Sequence, residues 1–382
     1  MAVIAINALN SNSGGGKSIR DSYLKLLNEE ELTERYVAIT AKGAGLDFVT
    51  NPNIEVMEMP GFWCRAFLAP LIYRFALGRV LRRTGAKVLL NMGDLIVHTD
   101  AKQIYIFDWP YALDVHPKVW LDMMPFDWLN RRVKLWLVKH DFNKPDIVIA
   151  QTDFIRDRLR ELYGLHDVRV INNAVTINTA PGDEKRDFEL PPGVRLVYPT
   201  VYYPHKNLEI LLDLAVLIKL SKHDYRIVTT VNPDTDAARR FLDSIAERGL
   251  QDIITNVGQV PLKQMHSLYK QCDALLMPTL LESFSIVYLE AMHHGLPVFT
   301  SEMWFAQAVC GDAAEYFDPF DAEDILRSIE EIMPHPSAKS DLIEAGAHRL
   351  ASFPTWEENF ATYQKYIGEL LGKVARCGES AG

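Results

Sequence analysis

The strongest constraint on the fold of this chain is a repeated alternation between short apolar runs and longer helical patterns. The first run is Val3–Ala8, and the helical pattern Ser18–Leu27 follows it. Strands buried on both faces appear as continuous apolar runs, and a helix between two such runs makes the strands parallel. The alternation therefore predicts an α/β fold built on parallel sheets.

The alternation is interrupted once, by a segment rich in Pro, Gly and charged residues. Residues 178–193 have no periodic apolar pattern, and a second series of strand and helix patterns begins at Val194. A chain of 382 residues is long enough for two or three folded units. We therefore expect an N-terminal domain over 1–177, a linker over 178–193, a C-terminal domain over 194–355 and a final helix within 356–382.

The composition is that of a folded protein without a nucleic-acid partner. Apolar residues make up 48% of the chain, and 40 basic against 50 acidic residues give a net charge of -10. These values exclude a disordered chain and argue against binding to nucleic-acid phosphates. The four cysteines have no metal-binding spacing, and the apolar start Met1–Asn7 is too short for a signal peptide. We expect a cytoplasmic protein.

The most informative group of residues lies between Pro278 and Val298. A strand pattern ends at Pro278, Glu282 follows in a loop, and Glu290 lies on the next helix. A helix that begins just after Glu282 would offer unpaired amides to an anion. These are the amides of Ser283, Phe284 and Ser285. The two carboxylates could then accept hydrogen bonds from sugar hydroxyls, although a capping acid and a solvated helix charge explain them equally well.

These residues resemble the family 4 glycosyltransferases, which have the GT-B fold. Glu282 and Glu290 have the spacing of that family's Glu-x7-Glu motif, and the Ala-Met and Gly-Leu-Pro-Val sequences of the family follow. Other segments match the family in the same order, namely Asn172–Val175, Pro204–Asn207, Gly258–Pro261, Leu268–Tyr269 and Phe353–Trp356. The resemblance implies two Rossmann-like domains facing a central cleft, with the final helix crossing back to the first domain.

The same resemblance implies the reaction and the site residues. A hexose-type sugar would pass, with retention of configuration, from a nucleoside diphosphate sugar to a hydroxyl of a glycan or lipid-linked glycan. Glu282 would contact the sugar, Glu290 the ribose and Lys206 the diphosphate. A lysine and helix amides offset the charge of a departing diphosphate, so no metal or other cofactor is expected. The remaining donor contacts are expected from Gly15, Gly16, Lys17, His205, Asn207 and the segment 283–285.

Two positions depart from the family pattern. Val201 stands where the family usually has an Arg, and Phe107 stands where it has a His before an Asp. Asp108 is then the candidate contact or weak base for the acceptor hydroxyl, or a turn-forming Asp without a catalytic role. Lys17, His205 or no residue at all would take the place of the missing Arg. The implied pathway is the assembly of bacterial surface polysaccharide, such as O-antigen, lipopolysaccharide or capsule.

Two alternatives from other classes of function remain. The segment Ser11–Ser18 nearly matches a phosphate-binding P-loop, so Gly14, Lys17 and Ser18 would serve an ATPase or kinase. Ser11 replaces the first glycine of that loop. A catalytically silent GT-B-like binding scaffold is the second alternative.

Two pairs of residues suggest metal ligands, and each has a simpler explanation. Asp234 and Asp236 have Asp-x-Asp spacing but precede a helix, where acids cap and favour the helix dipole. His293 and His294 lie at the predicted end of a helix, with no further ligand at metal-binding spacing.

Two basic and aromatic stretches predict an interaction with a membrane surface. Residues 62–87 contain six basic residues and no acid, and residues 128–140 repeat this composition. Surfaces of this kind bind anionic lipid headgroups with about 1 kcal/mol per basic residue. We expect peripheral association with the inner face of the plasma membrane. An ordinary helix with its apolar side in the core is the alternative.

Overall fold

The computed structural model describes residues 1–12, 14–65, 67–113, 115–121, 123–174 and 185–379. The chain divides into two compact units. Unit 1 comprises the described residues of Met1–Val115, Met124–Ala174 and Pro354–Gly382, and unit 2 those of His116–Met123 and Val175–Phe353. Part of the predicted linker lies outside the described residues. Its residues 185–190 pack on unit 2, where Phe188 is buried in the core.

The strands of unit 1 form a parallel sheet. They are β1 (Val3–Asn7), β2 (Arg35–Ala41), β3 (Ile54–Met59), β4 (Ala86–Asn91), β5 (Lys102–Ile106), β6 (Ile147–Ala150) and β7 (Val168–Val170). Within the described residues their spatial order is β3-β2-β1-β4-β5-β6-β7. The central strands are buried on both faces, and all four residues of β6 are buried, which explains their continuous apolar sequences.

The strands of unit 2 form a second parallel sheet. They are β8 (Val194–Tyr198), β9 (Tyr225–Thr229), β10 (Ile254–Asn256), β11 (Ala274–Met277), β12 (Val298–Ser301) and β13 (Glu315–Phe317). In the part of the chain that is described, their order is β10-β9-β8-β11-β12-β13. The predicted α/β class is therefore confirmed in both units.

Helices connect the strands and cover both sheets. They are α1 (Gly14–Glu29), α2 (Ala69–Leu71), α3 (Leu77–Thr84), α4 (Pro117–Leu121), α5 (Pro125–Asp141), α6 (Asp153–Tyr163), α7 (Ile210–Leu220), α8 (Asp236–Glu247), α9 (Leu262–Lys270), α10 (Ile286–His293), α11 (Trp304–Cys310), α12 (Ala322–Ile332), α13 (Pro336–Ala351) and α14 (Trp356–Glu379). A π-helical turn, Ile72–Ala76, joins α2 to α3. Among the described residues, no helix combines the length and apolar character needed to cross a membrane.

Each sheet has one point where the strand order reverses. In unit 1 this point lies between β1 and β4, and in unit 2 between β8 and β11. The loops that leave the carboxyl ends of two such strands run to opposite sides and open a crevice, which is the usual ligand site of an open parallel sheet. The fold therefore places one candidate site in each unit.

The helix α14 packs on unit 1. Its side chains Phe360, Tyr363, Ile367 and Leu370 belong to the same buried cluster as Ile4 of β1. The ring of Tyr23 on α1 lies 5.3 Å from the ring of Phe360. The end of the chain thus supplies part of the core of the first unit.

Candidate active site

Lys206 and Glu282 form an ion pair at the switch point of unit 2. Lys206 closes a 3-10 turn that follows β8, and Glu282 lies in the loop that follows β11. The Lys206 Nζ atom is 2.5 Å from Glu282 Oε1, and the two side chains are only 16% and 13% exposed. The structure therefore brings together two of the residues that the sequence predicted for the site.

Hydrogen bonds fix the loop that carries Glu282. The Leu280 amide donates to the carbonyl oxygen of His205 at 2.7 Å. The Thr279 hydroxyl lies 3.1 Å from the same carbonyl and 3.2 Å from Glu282 Oε1. A hydroxyl has one proton, so it donates to one of these acceptors at a time. Thr279, which the sequence did not indicate, thus helps to orient the Glu282 carboxylate.

Asn207 joins the two loops through its side chain. Its backbone has a φ of +54°, a left-handed conformation that Asn tolerates better than most residues. The side-chain amide donates to the carbonyl oxygens of Pro278 and Pro319, at 3.1 and 2.7 Å. The Asn207 side chain therefore holds the loops in place, and its amide is committed to these carbonyls rather than directed at a donor.

The structure corrects the predicted start of the helix after Glu282. That helix is α10 and begins at Ile286, so Ser283, Phe284 and Ser285 precede it. Ser285 has a φ of +60°, far from the φ of about −60° that interior helical residues adopt. Phe284 is buried and packs edge-on against Phe353, with ring centroids 5.5 Å apart. The amides at the helix N-terminus thus begin at Ile286 rather than at Ser283.

Glu290 lies on α10 and is held by a tyrosine of α9. The phenol of the buried Tyr269 donates to Glu290 Oε2 at 2.7 Å. Burial raises the pKa of the Glu290 carboxyl, and the hydrogen bond from Tyr269 acts in the opposite direction. The carboxylate is therefore positioned before any ligand binds.

A chain of histidines extends from the backbone of Glu290. His294 Nδ1 lies 2.7 Å from the Glu290 carbonyl oxygen, and His266 Nδ1 lies 2.7 Å from His294 Nε2. Because a carbonyl only accepts, Nδ1 of His294 carries its proton and Nε2 accepts the proton of His266 Nδ1. Burial lowers the pKa of His294, which favours the neutral ring that this arrangement needs. Nothing in the sequence pattern pointed to His266 as a partner of His294.

The residues of the two candidate metal motifs lie at or next to the ends of α8 and α10. The Thr235 hydroxyl caps α8 by accepting from the Ala238 amide at 3.1 Å, and Asp236 pairs with Arg239 one turn later. His293 is the last residue of α10. The described part of the chain contains no cluster of three or more His, Cys, Asp or Glu side chains arranged to hold a metal ion.

The Gly-rich loop of unit 1 opens the helix α1. Gly14, with a φ of +55°, is its first residue, so Gly15, Gly16 and Lys17 lie in its first turn. Lys17 pairs with Asp21 one turn further along the same helix. A P-loop lysine would instead reach back to a phosphate, so this geometry does not favour the ATPase or kinase alternative. The fully buried Arg20, which the sequence did not single out, donates to Asp21 Oδ1 at 2.7 Å.

A cavity of about 370 Å³ lies at the switch point of unit 1. Asn10 follows β1, Asp94 follows β4 and Trp109 follows β5, while α5 contributes Arg131 and Lys134. The carboxyl ends of neighbouring parallel strands meet at one edge of a sheet, so these loops converge. The sequence did not single out Asp94, and it marked Lys134 only as part of the basic stretch 128–140, because the two residues come from separate segments without a shared motif.

Asp108 stands beside this cavity with a perturbed carboxyl group. Burial and the nearby Asp94 carboxylate raise the pKa of Asp108 to about 7, and the Lys134 ammonium opposes them. Lys134 Nζ is 2.6 Å from Asp94 Oδ2 and lies over the ring of Trp109, 4.4 Å from its centroid. A carboxyl group with this pKa can exchange a proton near neutral pH.

Two open parallel sheets, each with polar residues at its switch point, define this protein as one with the GT-B fold. The structure is similar over 98% of the chain to sucrose-phosphate synthase from Thermosynechococcus elongatus, with a TM-score of 0.76, 16% identity and all of that chain covered. It is also similar to HepE of Anabaena, solved in complex with UDP and glucose, with a TM-score of 0.68, 15% identity and coverage of 97% and 100%. The predicted GT-B architecture is confirmed.

Part of the second unit matches a glycosyltransferase family. Residues 185–349 match the model of the family described as Glycosyl transferases group 1, and this region contains Lys206, Glu282 and Glu290. The chain is 24% identical over 208 residues to the O-antigen chain mannosyltransferase RfbU of Salmonella typhimurium, with 54% of this chain and 56% of that protein covered. It is 23% identical over 178 residues to the MMP alpha-(1->4)-mannosyltransferase of Mycolicibacterium hassiacum, with coverage of 46% and 42%. The chain thus spans about half the length of these curated relatives.

Proposed function

We propose that this protein is a retaining glycosyltransferase of the family 4 type. It would transfer a hexose-type sugar from a nucleoside diphosphate sugar to a hydroxyl of a glycan or lipid-linked glycan. The observation that carries this proposal is the Lys206–Glu282 pair at the switch point of unit 2. The relatives named above, among them an O-antigen mannosyltransferase, favour a role in the assembly of bacterial surface polysaccharide.

The ammonium of Lys206 suits the diphosphate of such a donor, and the carboxylate of Glu282 suits its sugar. In the structure the ammonium of Lys206 and the carboxylate of Glu282 neutralise each other in a mostly buried position. A diphosphate would draw the ammonium to its oxygens, and the released carboxylate would accept hydrogen bonds from sugar hydroxyls. The leaving diphosphate gains negative charge as the glycosidic bond breaks, and an ammonium placed beforehand stabilises that charge.

Glu290 is proposed to bind the ribose of the donor. Its carboxylate is held by Tyr269 and has a second oxygen, Oε1, to accept from a hydroxyl. A ribose presents two adjacent hydroxyls, and a carboxylate can accept from both. We include His205 in the donor site through its ring, which stacks on Tyr203 at 5.4 Å.

The missing family Arg has a candidate replacement in unit 2. Lys118 of α4 groups with this unit, and its Nζ atom lies 3.4 Å from Asn207 Oδ1 and over the ring of Phe320. We propose that Lys118 supplies a second positive charge for the diphosphate in place of the residue that is Val201 here. The ammonium groups of Lys118 and Lys206 would then offset the negative charge of the diphosphate, as a metal ion does in other transferases. We therefore propose a metal-independent reaction.

Asp108 is proposed to contact the acceptor hydroxyl in unit 1. Its pKa of about 7 allows it to accept a proton from that hydroxyl near neutral pH. We place the protein in the cytoplasm, bound peripherally to the inner face of the plasma membrane through residues 62–87 and 128–140. Arg79, Arg82 and Arg83 are all exposed on α3, while Leu77 and Leu81 of the same helix are buried.

Donor binding tests the proposal directly. Thermal shifts with UDP-, GDP-, ADP- and dTDP-sugars should reveal one donor that stabilises the wild-type protein. Lys206→Ala should lose this shift, and Glu282→Ala should lose the discrimination between the nucleotide sugar and the free nucleotide. EDTA should change neither binding nor transfer. Donor binding without transfer to any acceptor would instead favour a catalytically silent scaffold.

A further inference from the structure

We propose that Asp94 is a positioning residue for Asp108: a buried network of side chains at the strand ends of unit 1 fixes Asp94 nearby, where its charge determines when Asp108 carries a proton. The inference rests on the proposed function, because Asp108 is the residue that we propose as the acceptor contact. Asp94 lies in the loop between β4 and β5, residues 92–101. Neither a sequence motif nor the transferase fold assigns it a role.

Three carboxamide side chains form a row beneath this loop. Asn7 ends β1, Asn91 ends β4 and Gln103 lies in β5, and all three are almost fully buried. Asn7 Nδ2 donates to Asn91 Oδ1 at 2.7 Å, and Asn91 Nδ2 donates to Gln103 Oε1 at 3.1 Å. The row therefore connects three neighbouring strands at the switch point of unit 1.

Asn91 binds the loop on both sides of Asp94. Its Oδ1 atom accepts from the Gly93 amide at 3.1 Å, and its Nδ2 atom donates to the Leu95 carbonyl oxygen at 2.8 Å. With these bonds and those to Asn7 and Gln103, both oxygen lone pairs and both amide protons of the Asn91 side chain are used. A buried polar group satisfied in this way fixes one arrangement of its partners.

Two side chains of β5 also bind the loop. Gln103 Nε2 donates to the Val97 carbonyl oxygen, and Gln103 Oε1 accepts from the Val97 amide, both at 3.1 Å. The phenol of the buried Tyr105 donates to the carbonyl oxygen of Asp94 itself, also at 3.1 Å. Side chains of the sheet therefore determine where the backbone of Asp94 lies.

The helix α5 binds the same loop through two side-chain pairs. Lys134 Nζ lies 2.6 Å from Asp94 Oδ2. Further along the loop, His98 Nε2 lies 2.7 Å from Oδ2 of the buried Asp141. Lys134 and Asp141 are seven residues apart and so lie on one face of α5. The side chain of Asp94 is thus held by α5, while its backbone is held by the sheet.

The groups around Asp108 give the charge of Asp94 a direct effect on it. Burial raises the pKa of Asp108, the Asp94 carboxylate raises it further, and the Lys134 ammonium lowers it. The phenols of Tyr73 and Tyr105 also lie within range of the Asp108 charge, but burial raises the pKa of each well above its ordinary value, so both stay neutral near pH 7. The position of Asp94 therefore influences the pH at which Asp108 loses its proton.

A carbon-13 NMR titration of the full chain, with aspartate labelled at the side-chain carboxyl, tests the proposal. The signal of Asp108 is the one that is absent in Asp108→Asn. Asp94→Asn should lower the midpoint of the Asp108 titration by about one pH unit, because a nearby like charge disfavours the ionised carboxylate. A midpoint that is unchanged or higher in Asp94→Asn would overturn the proposal.

Tyr105→Phe tests the network without changing any charge. It removes the hydroxyl that binds the Asp94 carbonyl oxygen, so the midpoint of the Asp108 titration should fall by part of the change seen in Asp94→Asn. Tyr36→Phe is the matched control, because Tyr36 is also a buried strand residue of unit 1 but donates to Gln364 Oε1, at 3.0 Å. This control should leave the midpoint unchanged. Equal midpoints in the two phenylalanine variants would overturn the role of the network.

Gln103→Met releases the loop at Val97 and leaves the phenol of Tyr105 in place. It should lower the midpoint of the Asp108 titration as Tyr105→Phe does. A decrease in Tyr105→Phe alone would assign the effect to the lost phenol and would overturn the role of the network.

Activity provides a separate readout. The pH dependence of kcat/KM for the acceptor should follow the midpoint of the Asp108 titration in each variant. The titration itself needs neither donor nor acceptor. An absence of transfer, with the expected midpoints intact, would therefore count against the proposed transferase and not against the position of Asp94.

Discussion

The phenol of Tyr269 on α9 donates a hydrogen bond to the carboxylate of Glu290 on α10, with 2.7 Å between the two oxygen atoms. Tyr269 is buried, and its ring also lies against His294, with centroids 4.9 Å apart. The two helices are thus connected at the residue that we propose as the ribose contact. Tyr269 acts as a positioning residue for that contact.

Tyr269→Phe should weaken donor binding in a pH-dependent way. The hydrogen bond favours the ionised carboxylate, so its loss raises the pKa of Glu290 further above the ordinary value. The Glu290 carboxyl then stays protonated up to a higher pH. The pH below which donor affinity falls is therefore higher in the variant than in the wild type. We expect about a tenfold increase in KM with a much smaller change in kcat. The measurement is a pH series of donor titrations, and an unchanged pH profile with merely lower stability would assign Tyr269 a packing role.

Separating Lys206 from Glu282 should cost both stability and rate. Glu282→Gln leaves the ammonium of Lys206 mostly buried without its partner, a loss somewhat below the about 3–5 kcal/mol typical of fully buried pairs. Lys206→Met should lower kcat by about a hundredfold to a thousandfold, as expected when a charge that stabilises the leaving group is removed. A double-mutant cycle with urea unfolding and kcat as readouts measures the coupling.

The exposed pair Lys219–Asp252 of the same unit provides the control for that cycle. Its atoms are 3.4 Å apart and both side chains are about half exposed. Lys219→Met should change the free energy of unfolding by no more than about 0.5 kcal/mol and should leave kcat unchanged. Equal effects of Lys219→Met and Lys206→Met would show that charge as such, rather than the position of Lys206, determines the result.

Asp108 should make the stability of the protein decrease as the pH rises. Its pKa is raised from 3.8 to about 7, so the folded state binds the proton more tightly than the unfolded chain does. This contribution is fully present below about pH 4 and is lost as the pH passes through about 7. Asp108→Asn should abolish this loss of stability. At pH 8 the variant should therefore be more stable than the wild type by up to a few kcal/mol. Urea midpoints at several pH values measure this, and the exposed Asp47→Asn of the same unit should leave the pH dependence intact.

Gly78→Ala should destabilise the protein, although alanine ordinarily favours a helix. A Cβ atom at Gly78 would lie 2.3 Å from the carbonyl oxygen of His98, so α3 would have to shift. We expect a loss of about 1–3 kcal/mol. Gly368→Ala on α14 is the matched control, because a Cβ there meets nothing within 4 Å and should stabilise the helix by up to about 1 kcal/mol. Thermal unfolding of the two variants should therefore change in opposite directions.

The sequence predicted those features that depend on pattern along the chain. Buried strands such as β6 have continuous apolar sequences, so the parallel sheets could be recognised without any structure. The meeting of Lys206 and Glu282 could be anticipated as well, because each follows a strand of the same predicted sheet. The resemblance to a known family added their roles, which remain proposals.

Features that depend on backbone conformation or on distant segments could not be predicted. No pattern in the sequence predicted the φ of +60° at Ser285. Because of this backbone conformation, α10 begins three residues later than expected. The hydroxyl of Tyr269 reaches Glu290 because α9 and α10 pack together, although the two residues are 21 positions apart in the sequence. The cavity of unit 1 is lined by the loops after β1, β4 and β5 and by α5, which lie far apart in the sequence and share no motif.

The packing of α14 on unit 1 has a consequence for how this protein is made. Unit 1 buries Phe360, Tyr363, Ile367 and Leu370, which leave the ribosome after all of unit 2. Until then, the nascent first half must expose the apolar surface that these side chains later cover. During synthesis, unit 2 can therefore fold before the core of unit 1 is complete. A fragment that ends near residue 174 should aggregate unless a chaperone binds it.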